Sequence, residues 1–198
     1  MFVSFEGIDG SGKSTQAHAL AERLEAAGRE VVLTREPGGT PLGEEIRRLL
    51  LHAGHVAPWA EAALFAASRA QHVEELIAPA LARGADVVCD RYVDSSVAYQ
   101  GGARGLGLDA VLDLNLAAVG GLLPDVTFLL LVDPTVAAAR VGAERDRIER
   151  EDDSFMTRAD GAYRDLADRD RTRIVPLDGT RAPAELAEEI DGALRVRS

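Results

Sequence analysis

The stretch GIDGSGKST, Gly7 to Thr15, constrains the fold more than any other part of the chain. It lies between a short apolar run, MFVSFE, and a segment in which apolar residues recur at helical spacing. Gly7, Gly12, Lys13 and Ser14 match the pattern G-x-x-x-x-G-K-[ST]. In such a loop the backbone N–H groups surround phosphate oxygens, and the following helix directs its positive N-terminus toward them. The sequence therefore predicts a strand, a phosphate-binding loop and a helix, in that order.

The motif also predicts how a nucleoside triphosphate, ATP or GTP, is held. Lys13 would reach the β- and γ-phosphates, and the Ser14 hydroxyl would bind Mg²⁺. Proteins with this loop place an acidic residue near the magnesium ion, and Asp90, which ends the run DVVCD, is the candidate. Arg91 follows it, at the carboxyl edge where open α/β sheets bind ligands.

The apolar runs predict the class of fold. Five continuous runs are typical of parallel strands covered on both faces, and they are MFVSFE, EVVLT, DVVCD, VTFLLLV and RIVPL. Helical patterns begin at Ser14 and also cover Leu42–Leu51, Trp59–Arg83, Leu108–Val119, Pro134–Val141, Ser154–Asp168 and Pro183–Leu194. Strands alternating with helices predict an α/β protein with a five-stranded parallel sheet flanked by helices. Since no linker or repeat divides the chain, residues 1–198 are expected to form a single domain.

Charge and composition exclude several classes of partner. A formal net charge of −11 argues against a nucleic acid polymer as ligand. No run is long enough for a membrane span, and no signal peptide is recognisable, so we expect no membrane partner. The single cysteine, Cys89, lies in an apolar run and fits a buried strand position in a reducing compartment. The expected location is therefore the cytoplasm.

The arginines predict a second phosphate-bearing ligand. The chain has no N-K-x-D segment of a GTPase and no L-S-G-G-Q segment of an ABC ATPase. Arginines instead stand at expected loop or helix-end positions, and in an acidic protein they favour binding of a small anion. They are Arg35, Arg69, Arg91, Arg104, Arg140, Arg145, Arg147 and Arg150.

Four blocks of the chain resemble those of the thymidylate kinases, in the same order and at about the same spacing. They are FEGIDGSGKST, TREPGGTPLGEEIR, DRYVDSSVAYQGGARGL and DRIERE. The resemblance implies a P-loop nucleoside monophosphate kinase fold that transfers the γ-phosphoryl group of Mg²⁺-bound ATP to dTMP, giving dTDP. It also implies a homodimer and a mobile lid, which would lie at about residues 140–154.

The resemblance assigns the site residue by residue. The ATP side would comprise Gly7, Ile8, Asp9, Gly10, Ser11, Gly12, Lys13, Ser14, Thr15 and Arg140, with Arg140 packing on adenine and Ser14 and Asp90 holding the metal. The dTMP side would comprise Asp9, Arg35, Phe65, Arg69, Arg91, Ser96, Tyr99 and Gln100. In that set Arg35 and Arg91 would grip the acceptor phosphate. Phe65 would stack on thymine beside Arg69, and Tyr99 would stand where a ribose 2′-hydroxyl collides.

The family supplies its catalytic arginine either from the P-loop, directly after the aspartate, or from the lid. Here Gly10 follows Asp9, so the resemblance implies a lid arginine. Arg145 and Arg147 are the candidates, and of the two Arg147 lies inside the block DRIERE. The expected catalytic set is Asp9, Lys13, Arg91, Arg145 and Arg147.

Two other functions remain open from the sequence. A kinase of another nucleoside monophosphate or of a deoxynucleoside would share the phosphate-binding loop but not both REPGGT and DRYVDSSVAYQGG. A regulatory module would bind ATP without transferring it. If the acceptor is dTMP, the thymine methyl group alone discriminates by about 1 to 3 kcal/mol, so appreciable use of dUMP is expected.

Overall fold

The computed structural model describes residues 1–142 and 146–197. Its five strands are β1 Phe2–Glu6, β2 Val31–Arg35, β3 Asp86–Asp90, β4 Val126–Leu131 and β5 Ile174–Asp178. They form one sheet in the order β2-β3-β1-β4-β5, and each neighbouring pair is parallel. The predicted five-stranded parallel sheet is confirmed. Because β1 is central, the loop that follows it lies between the ends of β3 and β4.

Helices cover both faces of this sheet. The α-helices are α1 Lys13–Ala26, α2 Pro41–His52, α3 Pro58–His72, α4 Ala78–Ala82, α5 Val93–Ser96, α6 Leu108–Ala118, α7 Pro134–Arg140, α8 Asp153–Arg169 and α9 Pro183–Arg197. Two π-helical segments, Val73–Ile77 and Val97–Ala103, continue α3 and α5. No helix in the described part of the chain is both long and apolar enough to span a bilayer.

The sheet divides the hydrophobic core into two layers. One layer joins α1 and α9 to the sheet through residues such as Leu20 and Ile190. The other contains side chains of the remaining helices. Val87 and Val88, adjacent in β3, belong to opposite layers and are both fully buried. Burial on both faces explains why β1, β3 and β4 read as continuous apolar runs, whereas the edge strand β2 is only partly buried.

Two helical regions differ from the sequence prediction. The single helix expected over Trp59–Arg83 begins one residue earlier and contains a π-helical segment just before α4, in which Pro79 lacks a backbone donor. The helical stretch Val93–Ala103 was not predicted. Nearly all of its residues are buried, so it has no polar face and no amphipathic pattern.

A buried ion pair fastens the start of β5 to α5. The Arg173 guanidinium donates to both carboxylate oxygens of Asp94, at 2.6 and 2.9 Å, and to the Thr127 hydroxyl at 2.9 Å. The Asp94 side chain is 3% exposed. Removing one partner would leave the other charge buried without compensation, which is costly.

We expect Arg173→Met to lower the free energy of unfolding by about 3 kcal/mol, because it strands the Asp94 carboxylate. The matched control is Arg171→Met, since Arg171 pairs with Asp168 on the surface, where both side chains are more than 70% exposed. That control should change stability by less than about 0.5 kcal/mol. Urea unfolding measures both, and equal effects would contradict the role of the buried pair.

Candidate active site

A cavity of about 640 Å³ lies beside the phosphate-binding loop and collects most of the predicted site residues. Its wall includes Asp9, Gly10, Ser11, Gly12, Lys13, Ser14, Thr15, Arg35, Phe65, Arg69, Asp90, Arg91, Ser96, Tyr99, Gln100 and Arg140. Gly7 and Ile8 contribute backbone carbonyl oxygens that accept from Arg91 and Lys13. The ATP side and the acceptor side predicted from the sequence therefore share one cavity.

The glycines of the loop allow a backbone that other residues would resist. Gly12, directly before α1, has φ 98°, and Gly10 has φ 82°. A Cβ added at Gly10 would overlap the backbone carbonyl of Ala137 in α7. A side chain at this position, an arginine included, thus meets both an unfavourable φ and a steric barrier.

Lys13 is buried at the start of α1, and its side chain lies beside the phosphate-binding loop. Its Nζ donates to the Ile8 carbonyl at 2.9 Å and lies 3.9 Å from Asp9 Oδ1. Burial, and then the nearby charge of Arg91, lower the pKa of Lys13 to about 8. A phosphate beside this amine would favour its charged form.

Arg91 joins the end of β3 to the phosphate-binding loop. Its guanidinium donates to the Gly7 carbonyl at 3.0 Å, to Asp9 Oδ1 at 2.5 Å and to the Ser95 hydroxyl at 3.1 Å. Its backbone adopts φ 72°, a left-handed conformation that is rare for a residue with a side chain. Strain of this kind is concentrated at functional sites.

Asp9 is held ionised between two cations. Burial alone would raise the pKa of Asp9, but the charges of Arg91 and Lys13 outweigh it and lower that pKa to about 2. The Tyr99 hydroxyl donates to Asp9 Oδ2 at 3.3 Å, and Arg91 lies over the Tyr99 ring at 5.3 Å. Asp9 and Tyr99 are thereby fixed beside the guanidinium.

The structure brings together Ser14 and Asp90, the two predicted metal ligands, at the phosphate-binding loop. The Ser14 hydroxyl donates to Asp90 Oδ2 at 2.5 Å. Asp90 Oδ1 is buried and has no hydrogen-bond partner among residues 1–142 and 146–197. An unpartnered carboxylate oxygen beside a hydroxyl fits a hard divalent cation such as Mg²⁺, which binds oxygen ligands.

Another close group of metal-ligating types is already paired. Glu36, His72 and Cys89 are buried near one another. Glu36 forms a 2.6 Å ion pair with Arg69, and His72 contacts Glu36 through one ring nitrogen and Thr34 through the other. Cys89 is the buried strand residue that the sequence predicted. We assign no metal to this group.

The base pocket predicted around Phe65 and Arg69 has a rigid floor. Arg69 is 1% exposed, and its guanidinium donates to Glu36 Oε2, the Ser96 hydroxyl, the Tyr92 carbonyl and Asn115. Four of its five N–H groups are thus used within the protein. Phe65, one helical turn earlier on α3, lines the same cavity.

The part of the cavity beside Arg35 contains a second arginine, Arg47, that the sequence reasoning missed. Arg35 donates to both oxygens of Glu44 at 3.1 Å. Arg47 lines the cavity nearby and donates to the Pro37 carbonyl at 2.9 Å. Burial, and then Arg35, lower the pKa of Arg47 below its ordinary value. Arg47 ends the block TREPGGTPLGEEIR, which was the available signal.

Glu6 was also missed, although it directly precedes the loop. Its carboxylate accepts from the Tyr92 backbone N–H, the Ser95 hydroxyl and the Tyr163 hydroxyl, at 2.7, 2.5 and 2.9 Å. Burial, and then Asp94, raise the pKa of Glu6 to about 7. Arg91 contacts the same two hydroxyls. Glu6 therefore helps to hold Arg91 in position through Ser95 and Tyr163.

The arginines predicted in the lid lie in two different places. Arg140 contacts the loop, donating to the Gly10 carbonyl at 3.4 Å and to the Gly179 carbonyl at 3.0 Å. Arg147 instead lines a separate cavity of about 470 Å³. Its guanidinium lies 2.7 Å from Glu61 and donates to the Leu50 carbonyl at 2.8 Å. Arg145 lies outside the described residues.

Comparison with known proteins identifies the family of the chain. The family model described as thymidylate kinase matches residues 5–190. A thymidylate kinase of Bifidobacterium longum (strain NCC 2705) is 50% identical over 187 residues, which cover 92% of this chain and 91% of that protein. One of Clavibacter michiganensis subsp. michiganensis is 49% identical, covering 100% of this chain and 94% of that protein.

A solved structure gives the same result for the fold. Thymidylate kinase from Ehrlichia chaffeensis superposes with a TM-score of 0.82 at 35% sequence identity, and the match covers 98% of each chain. The five-stranded parallel sheet flanked by helices matches the fold of this neighbour. The chain belongs to the thymidylate kinase family.

Proposed function

We propose that this protein transfers the γ-phosphoryl group of ATP to dTMP, giving dTDP for the synthesis of dTTP. One observation carries the proposal: a single cavity holds a phosphate-binding loop at one end and, at the other, arginines beside an aromatic pocket. Arg91 lies between the two ends and contacts the loop. The names of the similar proteins support thymidylate as the acceptor.

The reaction needs no general base. The second pKa of a phosphate monoester is about 6, so near neutral pH dTMP is mostly a dianion and already a nucleophile. The obstacle is repulsion between this dianion and the triphosphate. Lys13, Arg91 and Arg35 reduce the repulsion and hold the two phosphates in line, and positioning of this kind supplies most of the catalysis.

Mg²⁺ belongs to the same proposal. Ser14 and Asp90 would hold it, since the buried Asp90 Oδ1 has no partner within the described ranges. When bound, Mg²⁺ neutralises charge on the β- and γ-phosphates. Asp9 stays ionised beside Arg91 and keeps that guanidinium oriented toward the reacting groups.

The base pocket is proposed to select a thymine deoxynucleotide. Phe65 stacks on the ring, while Arg69, Ser96 and Gln100 line the pocket around it. Tyr99 is held by Asp9 and packs against the ring of Tyr163. A fixed Tyr99 leaves little room for a ribose 2′-hydroxyl, so ribonucleotides are rejected by collision.

We also propose that the protein is a cytoplasmic homodimer. Three large apolar side chains of α2 and α3 are strongly exposed: Leu42 at 51%, Leu49 at 42% and Trp59 at 52%. Helices α2 and α3 are adjacent in sequence and pack on one another. Exposed apolar side chains on two helices that pack together favour association with a second copy.

Formation of ADP tests the acceptor. With ATP, Mg²⁺ and each of dTMP, dUMP, UMP, CMP, dGMP and thymidine, we expect fastest release with dTMP. The value of kcat/KM for dUMP should be lower by about 10- to 200-fold, since a methyl group in an apolar pocket is worth about 1 to 3 kcal/mol. If another nucleotide or thymidine gives faster release of ADP, that compound replaces dTMP as the proposed acceptor. Tight ATP binding without release of ADP for any acceptor would favour a regulatory module.

Proton uptake tests the position of Lys13. Its pKa of about 8 is raised when a phosphate binds beside it. At pH 8.5, ATP binding should therefore take up a substantial fraction of one proton, whereas at pH 7.0 Lys13 is already charged. Calorimetry in buffers of different ionisation enthalpy measures the uptake. Lys13→Arg is the control, because guanidinium stays charged; uptake that persists in it would contradict the assignment.

The two lid arginines can be separated by mutation. Because Arg147 is engaged by Glu61 and Leu50, we propose that it anchors the base of the lid and that the catalytic arginine is Arg145. Arg145→Ala should lower kcat on the order of 10³-fold while KM for ATP changes only a few-fold. Arg147→Ala should lower kcat less and reduce thermal stability. The reverse order in steady-state kinetics would return the catalytic role to Arg147.

A further inference from the structure

Glu61, on α3, is a fully buried carboxylate to which the reaction as described gives no role. It accepts from Arg104, at 3.1 Å to each oxygen, and lies 2.7 Å from the Arg147 guanidinium. Its Oε1 also accepts from the Gln100 side-chain amide at 2.8 Å. Glu61 therefore connects Gln100, on the cavity wall, with two arginines that lie outside that cavity.

The partners keep Glu61 ionised. Burial favours the neutral acid, but hydrogen bonds from Arg104, Gln100 and Arg147 outweigh it and lower the pKa of Glu61 below its ordinary value. An ionised carboxylate only accepts hydrogen bonds. The side of the Gln100 amide that faces Glu61 must therefore be the NH₂ group.

This contact determines the orientation of the whole amide. With Nε2 bound to Glu61, the Gln100 carbonyl oxygen points to the opposite side of the amide. The contact with Glu61 uses the amide nitrogen and does not involve this oxygen. Gln100 lines the cavity together with Phe65 and Arg69, so this acceptor is available to a base stacked there.

A fixed acceptor discriminates between pyrimidines. Thymine and uracil carry a ring N–H at position 3, which can donate to it. Cytosine carries a lone pair at the same position, so two acceptors would face one another. A site built for a hydrogen bond rejects an analogue that cannot form it far more strongly than an apolar pocket rejects a missing methyl group.

We propose that Glu61 is a specificity-determining positioning residue, which holds the Gln100 amide in the orientation that accepts a pyrimidine with a ring N–H at position 3 and rejects one with a lone pair there. The proposal rests on the function proposed above, because it concerns the base of the same acceptor. It adds a cause for the selectivity that lies outside the substrate pocket.

The experiment compares dTMP with 5-methyl-dCMP. The two nucleotides share the methyl group, sugar and phosphate, and they differ at positions 3 and 4 of the ring. Dissociation constants are measured by calorimetry and kcat/KM by release of ADP, for the wild type and for Glu61→Gln. An inactive fraction cancels in the ratio of the two acceptors when both are measured on one preparation.

In Glu61→Gln the neighbouring amide can donate as well as accept, so Gln100 can rotate. We expect the preference for dTMP over 5-methyl-dCMP to narrow by about tenfold or more, with a residual preference contributed by Arg69. The control is Arg104→Gln, which removes an ion pair of Glu61 but leaves its bond to Gln100. That variant should keep the wild-type ratio within threefold, whatever it does to stability.

An unchanged ratio in Glu61→Gln, or an equal narrowing in Arg104→Gln, would overturn the proposal. If Glu61→Gln does not fold, Gln100→Met removes the amide while the arginines keep their partner, and a wild-type ratio in that variant would overturn it equally. Failure of the proposed function has a different signature. Wild-type protein would then transfer phosphate to neither nucleotide, while the ratio of dissociation constants would still report the orientation of Gln100.

Discussion

The site depends first on the contacts of one guanidinium. Arg91 leaves β3 with φ 72° and donates to the carbonyl of Gly7, to Asp9 and to Ser95. A left-handed conformation costs about 1 to 3 kcal/mol, and these charge-assisted hydrogen bonds offset it. Since the bonds join the end of β3 to the loop after β1, they would fix the proposed acceptor side relative to the triphosphate.

A cavity with many cations is stable in this acidic protein because carboxylates hold most of its arginines in advance. Arg35 is bound by Glu44, Arg69 by Glu36 and Arg91 by Asp9. Each carboxylate reduces repulsion between neighbouring cations when no substrate is bound. Each also orients a guanidinium before substrate arrives, so little reorganisation is needed when the phosphates bind. The net charge of the chain therefore does not describe the charge that its substrates meet.

Features with a local cause could be predicted from the sequence, and those made by distant pairing could not. Continuous apolar runs identified all five strands to within about a residue. In β1, β3 and β4 such a run results from burial on both faces of the sheet. The buried helical stretch Val93–Ala103 leaves no periodic mark. Glu61 was missed because Gln100, Arg104 and Arg147 are far from it in sequence, and its own neighbours are those of an ordinary helix. The position of the Arg147 side chain could not be predicted either, because its partner Glu61 is far away in sequence.

The close approach of α7 to the phosphate-binding loop limits where a catalytic arginine can stand. A side chain at position 10 would overlap the Ala137 carbonyl, so an arginine inside the loop would require α7 to move. Such a shift would also disturb Arg140, which ends α7 and donates to the Gly10 and Gly179 carbonyls. The proposed lid arginine would avoid this conflict. If it reaches the phosphates only when the lid closes over both substrates, transfer to water is suppressed, because the charge that stabilises the transition state arrives together with the acceptor.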